Sequence, residues 1–461
     1  MYFHAGVGNV RHRLVNDRCE IGCTNIDWDD RPAQWAGRLY DGLTVNHKKE
    51  EAMNRFSAKM LVLVWAMLCL AFCVHGSRDI AVAAVKSAPV LSRTVVLSGL
   101  GGPWDMAFAP DGAMLFTEKC RGLSVRKTDG SIRHLFGSNG AVLPAADFFC
   151  KGQSGMLGVA LDPAFADNRF VYVYMASDFK SRKTNRVVRL TVFEDYVGVG
   201  HRRDIITDIP FKQSFNRWGG AGAHSGGRIR FGPLDGYLYV TTGDNHEGPL
   251  PQDLRRLGGK VLRIDRDGKA ANDNPPLPGG DPRIFTYGHR NVQGIAFHPG
   301  TGRPFACEHG PGHSDEVTPL APGGNGGWDP APGKGVSCAS NYCGYISNKP
   351  DGTPTSMTDL DRFPEALRPS WTNRGASEGM GPCVFLSGPQ WKGWDGRLAV
   401  GFLRGARIEI LDMDDRGMTA KATAILDLPA QRMRSLVLGP DGALYIATDA
   451  GDIWRLESGS K

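Results

Sequence analysis

Helical periodicity is scarce along this chain. So are charge blocks, long apolar runs and haem-attachment motifs, and each scarcity closes off a class. The sparse helical signal argues against a doubly wound α/β fold. The longest apolar run, Met60 to Val74, is about 15 residues, short of the roughly 20 needed to cross a bilayer. The net charge of +6 is spread out, with no basic block to grip nucleic acid and no acidic tail. No C-x-x-C-H is present, so no attached c-type haem is expected. The Gly-rich GGAGAHSGG is not a dinucleotide fingerprint, because a strand pattern follows it where a helix is required.

What is abundant is turn chemistry. Sixty Gly and 29 Pro in 461 residues suit many short strands joined by tight reversals. The length fits two or three average domains, or one large repeat fold.

The beginning of the chain reads as a leader. Residues 53–76 (MNRFSAKMLVLVWAMLCLAFCVHG) place Arg55 and Lys59 before the apolar run, the pattern of a secretory signal peptide starting at Met53. Residues 1–52 show no sustained periodicity. Lys48-Lys49-Glu50-Glu51 can be written in purine-only codons that resemble a bacterial ribosome-binding sequence. The segment is then a non-native upstream extension or, alternatively, a disordered leader. Residues 77–97 form the first mature segment, and residues 98–461 the main domain. Cysteine usage agrees with export to the periplasm or medium. Six cysteines lie beyond the leader, and an exported chain favours disulfides over metal thiolates. Cys338 with Cys343, and Cys120 with Cys150, are plausible local pairs.

Six segments share one pattern: a short apolar strand, a Pro/Asp/Gly turn, a second strand and usually a third. They begin near residues 106, 159, 228, 294, 383 and 436. Proline fixes one φ and glycine supplies the positive φ a tight reversal needs. Strict alternation in ALYIATDAGDIWRL turns one strand face inward. Six such units predict an all-β, six-bladed β-propeller. Val90 to Leu97 reads as a strand that closes the ring beside the last blade. Long insertions between units three and four, and between four and five, are the places for function.

Four motifs carry candidate chemistry. In GAHSGGRIRFGP, His224 precedes an inner strand beside Gly226-Gly227. An unperturbed imidazole titrates near neutrality and suits a general base, although a loop histidine bonded to a carbonyl reads the same way. In YGHRNVQGIAFHP, Arg290 offers a planar fork of donors for carboxylate or quinone oxygens. Asn291 adds a donor and an acceptor, and His289 is structural. A solvated loop charge is the plainer account of Arg290 alone. In CEHGPGHSDEV, Gly310-Pro311 exposes carbonyls that suit a hard cation such as Ca²⁺, and Asp315 and Glu316 either ligate or hold the loop. His309 and His313 are spaced for zinc only on a helix, which the glycines deny. In FLRGARIEIL, Arg404 and Arg407 either meet an anionic cofactor or are strand-end charges.

Taken in order, GQSGMLGVALDPAF, HSGGRIRFGPLDGYLYVTTGD, GGKVLRIDRDG, YGHRNVQGIAFHP and EHGP…DE resemble the soluble quinoprotein sugar dehydrogenases of the glucose/sorbosone type. The resemblance covers roughly residues 98–457. It implies a six-bladed propeller using pyrroloquinoline quinone (PQQ) and Ca²⁺, a small-molecule sugar substrate, an external electron acceptor, and a monomer or homodimer. His224 then removes the sugar hydroxyl proton while hydride passes to the quinone. Arg290 and Asn291 contact that quinone, and His309, Arg404 and Arg407 join the cofactor site. Gly310 and Pro311 give carbonyl ligands to Ca²⁺, and Asp315 is the acid supporting the base. The chain departs from the family pattern at Ala223, where an acid is common, and in GHSDE. Lys392 is the candidate for the family's cofactor lysine, and the Cys-bearing loop 323–380 matches poorly. A calcium-dependent hydrolase of lactonase type and a non-catalytic binding propeller remain the alternatives.

Export makes a direct prediction. Protein secreted by its native host should begin between about Ser77 and Val85. N-terminal sequencing or mass analysis checks this, and peptides recovered from residues 1–52 would overturn it.

Overall fold

The structure, a computed structural model, describes residues 88–213 and 218–458. The leader, the stretch 53–76 and the expected cleavage region lie outside the described residues. The described residues form six sheets, five of four strands and one of five. Their innermost strands are Pro103–Phe108, Met156–Leu161, Ile229–Phe231, Val292–Phe297, Met380–Phe385 and Met433–Leu438. Each packs beside the next, and the sixth returns to the first. This is the six-bladed β-propeller that the repeat predicts.

The ring is closed by the chain's own beginning. Leu91–Leu97 adds to Ile453–Ser458 as the outermost strand of blade six, with Leu91 opposite Ser458. Ring closure of this kind leaves only short outer edges for unwanted pairing. The turns behave as their residues dictate. Gly112 and Gly442 sit at φ 88° and 74°. The preceding Asp111 and Asp441 accept the amides of Ala113 and Ala443 at 3.0 and 3.2 Å.

Blades are apolar on both faces because each is covered by two neighbours. Leu115, Leu123, Val159 and Val173 fill the space between blades one and two. Trp391, Ile410, Leu436 and Trp454 fill that between five and six. Burying each such side chain contributes about 1.5–3 kcal/mol. Radial packing therefore leaves the strand ends, and not the strand faces, free for chemistry.

Strand direction decides which ends gather. In each blade the start of the inner strand lies opposite the end of the second one, as Val292 opposite Glu308 and Met433 opposite Thr448. Residues just before an inner strand and just after a second strand therefore meet at one mouth.

Both expected cysteine pairs form, Cys120–Cys150 and Cys338–Cys343, and Cys307–Cys383 completes the set. The last joins the second strand of blade four to the inner strand of blade five. It closes a separation of 76 residues. Replacing Cys307 and Cys383 together by alanine should cost about 2–4 kcal/mol of stability. Chemical denaturation with a midpoint shift checks this, and an unshifted midpoint would show the link to be idle.

Candidate active site

Two adjoining cavities, of about 490 and 410 Å³, open at this mouth. His224, Asn291 and His309 line the first, and Arg290, His309, Gly310, Pro311 and Arg404 line the second. Seven of the residues singled out in the sequence thus come together from blades three, four and five. His309, Tyr345 and Arg432 are common to both cavities.

His224 is 7 % exposed and held at φ 54°, an uncommon backbone region for a residue with a side chain. The glycine pair beside it has a packing reason. A Cβ on Gly226 would stand 2.6 Å from the Thr242 Cα. His224 Nδ1 lies 2.6 Å from Asp244 Oδ1. Asp244 is fully buried and also accepts hydrogen bonds from the His246 amide at 2.9 Å, Trp328 Nε1 at 2.9 Å and the Tyr342 hydroxyl at 3.0 Å. A carboxylate can only accept, so the Nδ1 of His224 carries the proton and Nε2 keeps its lone pair. Nε2 is 3.4 Å from the Tyr345 hydroxyl. Burial, followed by the positive charges of Arg290, His309 and Lys212, holds the His224 imidazole well below its usual value. The imidazole is therefore neutral further into acid than an unperturbed histidine.

Arg290 is buried at 1 % exposure. Its guanidinium donates to the His309 carbonyl at 2.6 Å and to the Tyr345 hydroxyl at 2.8 Å. Its Nε is a buried donor without a hydrogen-bond partner among the described residues. Glu308 orients this segment, accepting from the amides of Arg290 and Asn291 and bonding His289 Nδ1 at 3.1 Å. His289 reaches Thr286 through its other nitrogen at 2.9 Å, a structural role. Asn291 Oδ1 accepts from the Gly226 amide at 3.0 Å, tying blade four to the base's loop. His309 is pushed down to about 4, by burial first and by Arg290 next.

Three expectations are corrected. Asp315 does not support the base. It holds the Gly310 turn, accepting from the Gly310 amide at 2.8 Å, the Ser377 hydroxyl at 2.7 Å and the Glu378 amide at 2.7 Å. It lies just before the third strand of blade four, Glu316–Pro319, one blade away from His224, and Asp244 is the acid bonded to that imidazole. Arg407 lines neither cavity. Glu378 and Glu409 neutralise it, and its guanidinium stacks 4.8 Å from the Phe402 ring. Lys392 is exposed on the short helical segment Pro389–Trp394, whereas the lysine lining the first cavity is Lys119.

The overlooked residues fall into two groups. Lys119, Asp244, Arg432 and Asp449 obey the strand-end rule above, so the repeat alone could have pointed to them. Trp328, Tyr342 and Tyr345 come from the Cys-bearing insertion of blade four, whose length carries no periodic signal. Gly248 accommodates that insertion: a Cβ there would meet the Asn341 carbonyl at 2.1 Å.

The residues suit an anionic, planar group. Arg290, Arg404 and Arg432 line one cavity, and the Arg290 Nε donor awaits a partner. The Gly310 and Pro311 carbonyls border the same cavity and accept no hydrogen bond among the described residues. No group of three or more His, Cys, Asp or Glu among the described residues is arranged for a metal ion. A hard cation here would rely on main-chain oxygens.

The site is thus a histidine–carboxylate pair beside an arginine-lined cavity at one mouth of a six-bladed β-propeller. Comparison with known proteins gives the family. The Glucose / Sorbosone dehydrogenase family profile matches residues 100–455, and the chain belongs to that family. Aldose sugar dehydrogenase YliI of Escherichia coli (strain K12) is 29% identical, spanning 79% of this chain and 92% of its own. Quinoprotein glucose dehydrogenase B of Acinetobacter calcoaceticus is 26% identical, spanning 80% of this chain and 87% of its own. The solved PQQ-bound form of aldose sugar dehydrogenase from Streptomyces coelicolor is 27% identical. It has a TM-score of 0.59 and covers 80% of this chain and 99% of that one.

Asp244 sets the tautomer of His224, which yields a prediction. Asp244→Asn should lower turnover by about 10²-fold or more while the fold survives, because the amide no longer enforces a proton on Nδ1. The acid limb of the wild-type pH–rate profile should fall below the ordinary histidine value of about 6.5. Steady-state rates across pH check both, and an unchanged Asp244→Asn rate would remove the dyad.

Proposed function

We propose that this chain oxidises an aldose or related sugar at its anomeric or aldehyde carbon, with PQQ as the hydride acceptor and Ca²⁺ beside it. The observation that carries this reading is the neutral His224 Nε2 facing a cavity whose far wall is arginine. PQQ supplies a two-electron quinone when bound. The rest is work for the chain. Arg290, Arg404 and Arg432 would attract its carboxylates and quinone oxygens, and Asn291 and Lys119 would fix its edge. Gly310 and Pro311 would offer carbonyls to Ca²⁺.

His224 Nε2 then takes the sugar hydroxyl proton. Asp244 keeps Nδ1 protonated and stabilises the imidazolium that results. Arg290, buried and aimed by Glu308, favours negative charge developing on its side of the cavity. Trp104 and Leu157 add apolar surface to the first cavity, which His224 lines. The three disulfides are consistent with a periplasmic or secreted protein. No helix among the described residues is long and apolar enough to cross a membrane. A calcium-dependent hydrolase would need several carboxylates converging on one metal, and the site shows a base opposite arginines.

The test is reduction of a redox dye by sugar after adding PQQ and Ca²⁺. His224→Ala should lower turnover by roughly 10² to 10⁴-fold, the usual worth of a general base, and retain PQQ absorbance. Arg290→Ala should lose both cofactor affinity and rate. A His224→Ala protein turning over at the wild-type rate would remove His224 from the reaction and leave a binding propeller.

A further inference from the structure

A base that is buried among cations must dispose of each proton it takes. Substrate and cofactor would fill the cavity that His224 faces, so the route has to lead elsewhere. A chain of side chains leaves His224 from Nε2, by way of Tyr345 at the cavity wall. The Tyr345 hydroxyl is 3.4 Å from His224 Nε2 and 3.1 Å from His246 Nε2. His246 Nδ1 is 3.0 Å from Lys212 Nζ. The His224 and His246 imidazole rings are tilted by 45° with centroids 3.7 Å apart. His246 and Lys212 are 4 % and 6 % exposed.

The chain ends at solvent. His246 and Lys212 line a separate cavity of about 700 Å³, whose rim includes the exposed Lys180 and Arg182. His246 borders this cavity and the one that holds the base's face, so it forms the wall between them. The backbone is strained at the same place. His224, Asn245 and His246 take φ of 54°, 50° and 55°. Strain of this kind persists where the surroundings over-determine a geometry, and it clusters at functional sites.

We propose that Tyr345, His246 and Lys212 form a proton exit from His224 to this second cavity. The inference rests on the reading of His224 as the base. His224 Nε2 gives its proton to the Tyr345 oxygen as the Tyr345 hydroxyl proton passes to His246 Nε2. His246 releases its Nδ1 proton to Lys212 as an ammonium proton of Lys212 leaves to water. His246 ends as its other tautomer, Tyr345 remains neutral throughout, and no electrons move. Arg290, donating to the Tyr345 oxygen at 2.8 Å, keeps that oxygen in place without supplying a proton. The groups facing His246 are Lys212, His224, Asp244, Arg290, Tyr342 and Tyr345. Burial lowers both His246 and Lys212 from their usual values, so neither holds on to the proton it receives.

His246→Gln and Lys212→Met test this in the PQQ- and Ca²⁺-loaded protein. In weak buffer, steady-state turnover should fall about tenfold, short of the hundredfold floor for losing a direct general base. In Lys212→Met, which borders the second cavity alone, added imidazole should restore it, the sugar KM should be unchanged, and single-turnover sugar oxidation should keep its wild-type rate. A loss that imidazole does not rescue, or one equally present in the single turnover, would overturn the exit. A second readout needs no cofactor. Interconversion of His224 between imidazole and imidazolium moves the Nε2 proton that the exit carries; followed by nitrogen-15 relaxation of the apo protein in acid, it should slow about tenfold in His246→Gln, and an unchanged rate would overturn the proposal. If the wild type oxidises no sugar, the NMR readout still decides the relay, and the two failures stay distinct.

Discussion

The hydrogen bond between His224 and Asp244 is the contact on which the rest of the site depends. A fully buried carboxylate is costly unless every lone pair is occupied. Asp244 meets that demand with donors from three parts of the chain: His224 before blade three's inner strand, His246 just after the second strand, and Trp328 with Tyr342 from the blade-four insertion. Satisfying one carboxylate thus fixes His224, its tautomer and the blade-four insertion together. The Asp244 amide also donates to the Arg290 carbonyl at 2.7 Å, which registers the cationic wall against the base.

The propeller supplies the frame for that contact. Its blades spend both faces on each other, so polar side chains can collect only at strand ends. Antiparallel pairing brings the start of one strand to the end of the next at the same mouth, blade after blade. A base from blade three, an arginine from blade four and further arginines from blades five and six meet there without any being near another in sequence. The Cys338–Cys343 ring has a related role: it lies beside Tyr342 and Tyr345, the insertion's two contacts with the dyad and with Arg290.

The architecture was legible because its signals are local. Pro-Asp-Gly turns, alternating strands and a repeated strand–turn–strand pattern each report on a few residues, and Val90 to Leu97 read as the closing strand for the same local reason. His224, Arg290, Asn291, His309, Gly310, Pro311 and Arg404 were legible through ordered motifs, and the structure gathers them. Asp315 misled because acid and base were paired by motif order, whereas spatial pairing follows the blade: Asp244 shares blade three with His224. Arg407 misled because a strand-end arginine two residues from Glu409 finds its counter-charge locally. Tyr345 gave no signal at all, since an irregular loop's contacts are set by where the loop folds back.

The central claim is that His224 is a neutral base, with its tautomer fixed by Asp244 and its free nitrogen turned to the cavity. Nitrogen-15 NMR of histidine-labelled protein across a pH titration tests it most directly. The account predicts a His224 imidazole protonated on Nδ1 alone at neutral pH, and still uncharged well below the ordinary histidine range. A His224 that is an imidazolium at neutral pH, or that carries its proton on Nε2, would contradict it.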